Sequence, residues 1–183
     1  MPTARTSARQ AATRYCKYTS HSHSPVTTMH CFPFVSTKTY QDAFPVAYRQ
    51  WRADSHCNQV HGYALTVHIE FGCTDLDARN WCVDYGSLRP LKGLLEDWFD
   101  HKLLVASDDP QIDLFRAMHT AGIAKITEVA ATGCEALADF VFNYINDCWL
   151  KDYGYAGRVV CTEVQVRETQ SNMAKRIWTG GSQ

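Results

Sequence analysis

Cys57 stands four residues before His61 in the run His56-Cys57-Asn58-Gln59-Val60-His61-Gly62-Tyr63. A thiol near an imidazole is a common arrangement for a reactive cysteine, because a nearby cation or metal lowers the thiol pKa and the thiolate is the nucleophile. The same run also reads as a buried cysteine beside a structural histidine. Asp100-His101 is a second feature. An aspartate beside a histidine orients the ring and raises its basicity, which makes a proton-transfer pair. A histidine at a helix end would also sit well against the helix dipole. Glu168, in Arg167-Glu168-Thr169, is the third. A carboxylate at a strand end can accept two hydrogen bonds from an amidine-like ring edge, such as that of a pterin or guanine. It can equally be a solvated charge.

These residues need elements to hold them. Residues 32–49 read as a first extended segment, and the polar stretch 49–58 as a loop. Residues 59–73 read as a long strand, because Leu65, Val67, Ile69 and Phe71 alternate with less apolar neighbours. His61 and Tyr63 then point to one face and His68 to the other. Residues 74–80 read as a turn, and residues 81–85 as a strand forming an antiparallel hairpin with the preceding one. Ser87 is placed to cap a helix with Pro90 in its first turn and Leu88, Leu91, Leu95, Trp98 and Phe99 at helical spacing. A short helix is expected over 111–119. A stronger one carries Leu137, Phe140, Val141, Tyr144, Ile145 and Cys148 on a single apolar stripe. The last strand, about 158–168, places Val160, Thr162, Val164 and Val166 on one face. The expectation is an α+β fold: an antiparallel four-stranded sheet with two helices on one face.

At 183 residues one domain is the natural expectation, with 45% hydrophobic and 20% charged residues as in ordinary globular proteins. A net charge of −1 gives no sequence-wide basic field for nucleic acid. No apolar run approaches the ~18–20 residues needed to cross a bilayer. None of the eight cysteines forms a C-x-x-C pair, which argues against a zinc knuckle. They read as reduced thiols of a cytoplasmic protein. Residues 1–30 differ from the rest: Arg5, Arg9, Arg14 and Lys17 occur with no acidic residue. They read as a disordered basic tail or an over-extended start, with a targeting peptide as the competing reading. Residues 31–183 form the expected domain.

Taken in order, the motifs resemble the 6-pyruvoyltetrahydropterin synthase and 6-carboxytetrahydropterin synthase family. They are Phe44-Pro45-Val46-Ala47-Tyr48, Cys57 with His61-Gly62-Tyr63, Asp84-Tyr85, Phe99-Asp100-His101, Thr132-Gly133-Cys134-Glu135 and Glu168-Thr169. The resemblance spans about residues 38–178. It implies the tunnelling fold, trimers whose sheets close into a barrel, pairing into hexamers, and active sites between subunits. It implies a carbon–oxygen or carbon–carbon lyase acting on 7,8-dihydroneopterin triphosphate or a related pterin, in pterin or 7-deazaguanine biosynthesis. Cys57 would abstract or relay a proton, Asp100 and His101 would be its acid–base partners, and Glu168 would anchor the pterin edge. Thr132 and Glu135 would support that pocket.

One departure stands out. The family normally binds zinc through three histidines, whose positions hold Tyr48, His61 and Tyr63 here. One ligand survives, and a catalytic zinc needs three protein ligands. His56 is a candidate replacement from the same loop, and His68 a weaker one. The opposing expectation is a pterin- or purine-binding protein that keeps the pocket without the zinc-dependent chemistry. Residues 104–127 also form a longer connection than the family needs, placed to lid the site or alter subunit contacts.

Overall fold

The computed structural model describes residues 32–180. The expectation for residues 1–30 lies outside the described residues. Strands β1 (Phe34–Tyr48), β2 (His61–Cys73), β3 (Lys102–Ala106), β4 (Ile126–Val129), β5 (Val159–Arg167) and β6 (Met173–Ile177) form one sheet in the order β4-β3-β1-β2-β5-β6. The expected antiparallel four-stranded unit is present as β1, β2, β5 and β6. Two short parallel strands, β3 and β4, extend it beyond β1. β3 covers only Val46, Ala47 and Tyr48 of β1, and among the described residues Phe34–Phe44 meet a strand on the β2 side alone.

The long strands follow from alternation. Phe44, Val46 and Tyr48 on β1 face Leu65, Val67, Ile69 and Phe71 on β2 in one buried core. Between Tyr40 and Phe44 the register slips, and Asp42 takes a positive φ of 44°. Its N–H donates to the Thr66 hydroxyl at 2.8 Å, so the bulge keeps both Tyr40 and Phe44 on the core face. A second bulge lies in β5 between the partners of Glu70 and Phe71. It corrects the expected face: Val159 and Cys161 join Val164 and Val166 in the core, while Val160 and Thr162 do not.

Helix α1 (Arg89–Phe99) buries Leu91, Leu95, Trp98 and Phe99. Helix α3 (Cys134–Tyr144) continues through a π turn, Ile145–Trp149, and a last turn, Leu150–Asp152. The two pack through Trp98, whose ring meets Phe140 at 4.8 Å and Tyr144 at 4.7 Å, both edge-on. They are the two helices expected on one face. The third helix, α2 (Ile112–Thr120), lies on the other. Its Phe115 packs with Leu103 and Val105 against Ala47, the residues that alternate away from the main core. The π turn directs Asn146 at the β5 bulge, where it accepts from the Cys161 N–H at 3.0 Å and donates to the Cys161 carbonyl at 3.1 Å.

Residues 81–85 do not form the expected strand. β2 is already flanked by β1 and β5, so no edge remains for them. They run into a 3₁₀ turn, Tyr85–Leu88, capped by the Asp84 carboxylate on the Gly86 N–H at 2.8 Å. Ser87 does not cap α1; its hydroxyl bonds the Asp84 carbonyl at 2.7 Å. Gly133, just before α3, has φ 104° and ψ 158°, a conformation open essentially to glycine alone. Gly133→Ala should therefore lower stability by about 1–3 kcal/mol. Urea unfolding checks this, and an unchanged midpoint would remove the strain argument.

Candidate active site

Four chain segments meet at one end of the sheet: the end of β1, the start of β2, the end of β5 and the start of α3. Tyr48 pairs with His61 across β1 and β2, and Val46 with Tyr63. Antiparallel pairing and a two-residue period place all three rings together. Tyr48 lies 5.9 Å from His61 and 5.4 Å from Tyr63, ring centre to ring centre, and His61 lies 5.2 Å from Tyr63.

The Tyr48 hydroxyl, almost wholly buried, donates to Glu168 Oε1. Burial, and then that hydrogen bond, push the Tyr48 phenol far above its ordinary pKa. Burial also raises the Tyr63 phenol, with further contributions from Glu168 and Cys57. The Cys134 thiol is pushed up to about 12, first by burial and then by Glu168, with which it is in hydrogen-bonding contact. The Glu168 carboxylate thus accepts from a phenol that keeps its proton, beside the neutral Cys134 thiol. Its backbone N–H donates to the Asn172 carbonyl at 3.1 Å, which fixes it at the β5–β6 turn.

Cys57 sits half-buried in a 3₁₀ turn, His56–Asn58, capped by Ser55. Its N–H donates to the Ser55 hydroxyl at 3.3 Å, and its carbonyl accepts from the Gln50 N–H at 2.8 Å. The Arg49 guanidinium forks onto Asp109 at 2.8 and 2.6 Å and reaches the Asn58 side-chain oxygen at 3.3 Å. Those hydrogen bonds hold the Asp109 carboxyl below its ordinary value. Thr132 is buried, and its hydroxyl donates to the Arg49 carbonyl at 2.7 Å. Its carbonyl accepts from the Gln50 side chain at 3.1 Å. Glu135 is exposed in the first turn of α3.

Asp100 and His101 lie at the α1–β3 junction, three residues back along β1 from Tyr48. Asp100 ends α1, and His101 follows with a positive φ of 55°. The His101 N–H donates to the Pro45 carbonyl at 2.7 Å, and its Nδ1 pairs with Asp100 Oδ1 at 2.8 Å. The imidazole is 78% exposed. It borders a shallow cleft of about 450 Å³ lined also by Ala47, Lys102, Leu103 and residues 122–125. Within one chain, the Tyr48, His61 and Tyr63 rings gather beside Glu168, to which Tyr48 donates, whereas the Asp100–His101 pair lies at the α1–β3 junction. Cys134, within the Thr132–Glu135 motif, carries a further sequence signal: it lies three residues before Leu137 on the buried stripe of α3. Asp109 carries none, lying 60 residues from Arg49.

The fold family implies zinc here, and the donor set does not match it. Two of the three positions hold phenols, and one of these is committed to Glu168 as a donor with its proton held by burial. His61 Nδ1 is 2.6 Å from the Gln59 carbonyl. His56 is exposed in the 3₁₀ turn, and His68 bonds Thr39 at 2.7 Å on the opposite face of the sheet. Among the described residues no group of three His, Cys, Asp or Glu side chains is arranged to hold a metal ion. Nor is any helix among them long and apolar enough to cross a membrane.

Comparison with known proteins addresses the fold and the family. The sequence matches the family described as 6-pyruvoyl tetrahydropterin synthase over residues 37–176. No curated protein sequence matches it. An uncharacterized protein from Wolinella succinogenes has a similar structure, with TM-score 0.67 and 15% identity, covering 79% of this chain and 97% of its own. A Plasmodium vivax 6-pyruvoyltetrahydropterin synthase with a catalytic residue mutated aligns with TM-score 0.54 and 14% identity, covering 80% and 99%. The Caenorhabditis elegans 6-pyruvoyl tetrahydropterin synthase aligns with TM-score 0.52 and 17% identity, covering 81% and 99%. At these identities the structures establish the tunnelling fold, and the sequence match establishes the family. The chain belongs to the 6-pyruvoyl tetrahydropterin synthase family.

Proposed function

We propose that this chain is a lyase acting on 7,8-dihydroneopterin triphosphate or a closely related reduced pterin, in pterin or 7-deazaguanine biosynthesis. The observation that carries this reading is the Glu168 carboxylate held by the Tyr48 hydroxyl beside the Tyr48, His61 and Tyr63 rings, with the Cys57 turn leading directly into β2. Tyr48 engages Glu168 Oε1 and the Cys134 thiol lies against the same carboxylate, whose remaining lone pairs accept the N–H and NH2 edge of a pterin. Cys57 takes or relays a proton from the ligand side chain. The exposed Asp100–His101 pair is its acid–base partner from a neighbouring copy in a homo-oligomer, a trimer or hexamer. Thr132 and Glu135 support the pocket from the start of α3.

A second reading is a pterin- or purine-binding protein without lyase activity. Tyr48 favours it, because a phenol bonded to the anchoring carboxylate occupies a position at which the family reading expects a zinc ligand. Incubation of the purified chain with 7,8-dihydroneopterin triphosphate, with products followed by mass spectrometry, separates the two. Turnover supports the lyase; tight binding without a product supports the binder; neither removes the pterin reading.

Glu168→Ala should weaken pterin binding by about 1.5–3 kcal/mol, the scale of a hydrogen bond to a charged group. Calorimetric titration measures it. Unchanged affinity would take Glu168 out of the pocket.

A further inference from the structure

The 3₁₀ turn that carries Cys57 buries none of its own residues. Its position therefore rests on polar contacts, and those contacts converge on two consecutive aspartates in the β3–α2 connection. Asp109 grips Arg49 with both carboxylate oxygens. Asp108 grips Arg52 and also accepts from the Trp51 indole at 3.1 Å. The inner pair is nearly closed to water, with the Arg49 side chain 18% and the Asp109 side chain 1% exposed. Arg49 also lies 5.6 Å over the Phe115 ring of α2.

From Arg49 the linkage runs onward to the thiol. The guanidinium holds Asn58, whose side-chain amide donates to the Trp51 and Ala53 carbonyls at 3.2 Å each. Cys57 is the neighbour of Asn58, and its carbonyl is held by the residue after Arg49. Asp109 is fixed in turn, because its Oδ1 accepts from the Gln111 N–H at 2.8 Å just before α2. Every link from Asp109 to Asn58 is a hydrogen bond, and the first is a forked ion pair that loses its partner if either end is removed.

We propose that Asp109, through Arg49 and Asn58, is a positioning residue for the Cys57 thiol, so that the β3–α2–β4 segment sets where the reacting thiol stands. This rests on the reading of Cys57 as the proton-transfer group. The segment then governs the turn from behind, through Asp109 and Arg49.

The test is the alkylation rate of Cys57 by iodoacetamide, read residue by residue by mass spectrometry, in the full chain and in Asp109→Asn. Cys148, half-buried in the π turn of α3 and remote from the clamp, is the internal reference. The expected result is a rise of about tenfold or more at Cys57 with the Cys148 rate unchanged, as a charged hydrogen bond is lost. Equal rates in the two proteins, or parallel rises at both thiols, would overturn the proposal; parallel rises mean only general loosening. If Asp109→Asn does not fold, Asn58→Ala cuts the same linkage nearer the thiol, and the same two outcomes decide. Where the chain turns over a pterin, Asp109→Asn should lower kcat with KM unchanged. A Cys57-specific rise in a chain that turns over no pterin would keep the clamp and discard the lyase reading.

Discussion

Cys57→Ala is expected to lower turnover of the pterin substrate by about 10²–10⁴-fold, the usual contribution of a positioned proton-transfer group. Pterin affinity should be essentially unchanged. The separation follows from what the residue contributes to its own turn. Its N–H bonds Ser55 and its carbonyl bonds the Gln50 N–H, and both groups survive in alanine. The thiol is half-buried and forms no part of the core, so the substitution leaves no cavity to collapse. Glu168 keeps its Tyr48 partner. Single-turnover kinetics and equilibrium binding measured on one preparation decide the matter. Retained turnover would strip Cys57 of its role, and lost affinity would show that the thiol helps hold the ring.

The second large effect concerns the metal. The native chain should purify with far less than stoichiometric zinc, and the double variant Tyr48→His/Tyr63→His should acquire about one zinc per chain. Three rings already converge there, with centre-to-centre distances of 5.2, 5.4 and 5.9 Å. Three neutral imidazoles at that spacing can aim ring nitrogens at one tetrahedral ion, whereas phenols kept protonated by burial offer it little. The variant also breaks the Tyr48–Glu168 hydrogen bond, so a near-ultraviolet spectrum must first show that the fold persists. Elemental analysis then reads the ion directly, with His61→Ala as the control. Stoichiometric zinc in the native chain, lost in that control, would mean that the phenols do ligate and that the metal-poor reading is mistaken.

How far the fold was legible depended on whether local pattern and global context agreed. β2 and α3 each carry a long regular repeat of apolar residues, and both formed where their patterns place them. β3, β4 and β6 are four or five residues long, too short for alternation to separate them from loops. Residues 81–85 illustrate the converse: Trp81-Cys82-Val83 has strand composition, yet both flanks of β2 are occupied. The bulge in β5 was equally hidden, because one extra residue reverses every later side chain without changing composition.

In the site, the aligned motifs brought Cys57, His61, Tyr63 and Glu168 into view because each sits at an element boundary that the pattern marks. They did not reveal that Tyr48 donates to Glu168, a contact 120 residues apart. Nor did they indicate that Thr132 spends its hydroxyl on the Arg49 carbonyl, holding the Cys57 loop from the α3 side.

Among the described residues the Phe34–Phe44 stretch of β1 meets no strand opposite β2, and this has a thermodynamic consequence. Along Phe34–Phe44 one row of backbone donors and acceptors faces away from β2, and β3 begins only at Val46. Lys38 and Asp42 put charge along that stretch, which discourages indiscriminate sticking. A second copy pairing there would bind the folded chain and not the unfolded one, so mass action would tie the two equilibria together. The melting temperature would then be a property of the solution as well as of the molecule. A rise in melting temperature with protein concentration is the signature of such pairing, and a value independent of concentration would rule it out.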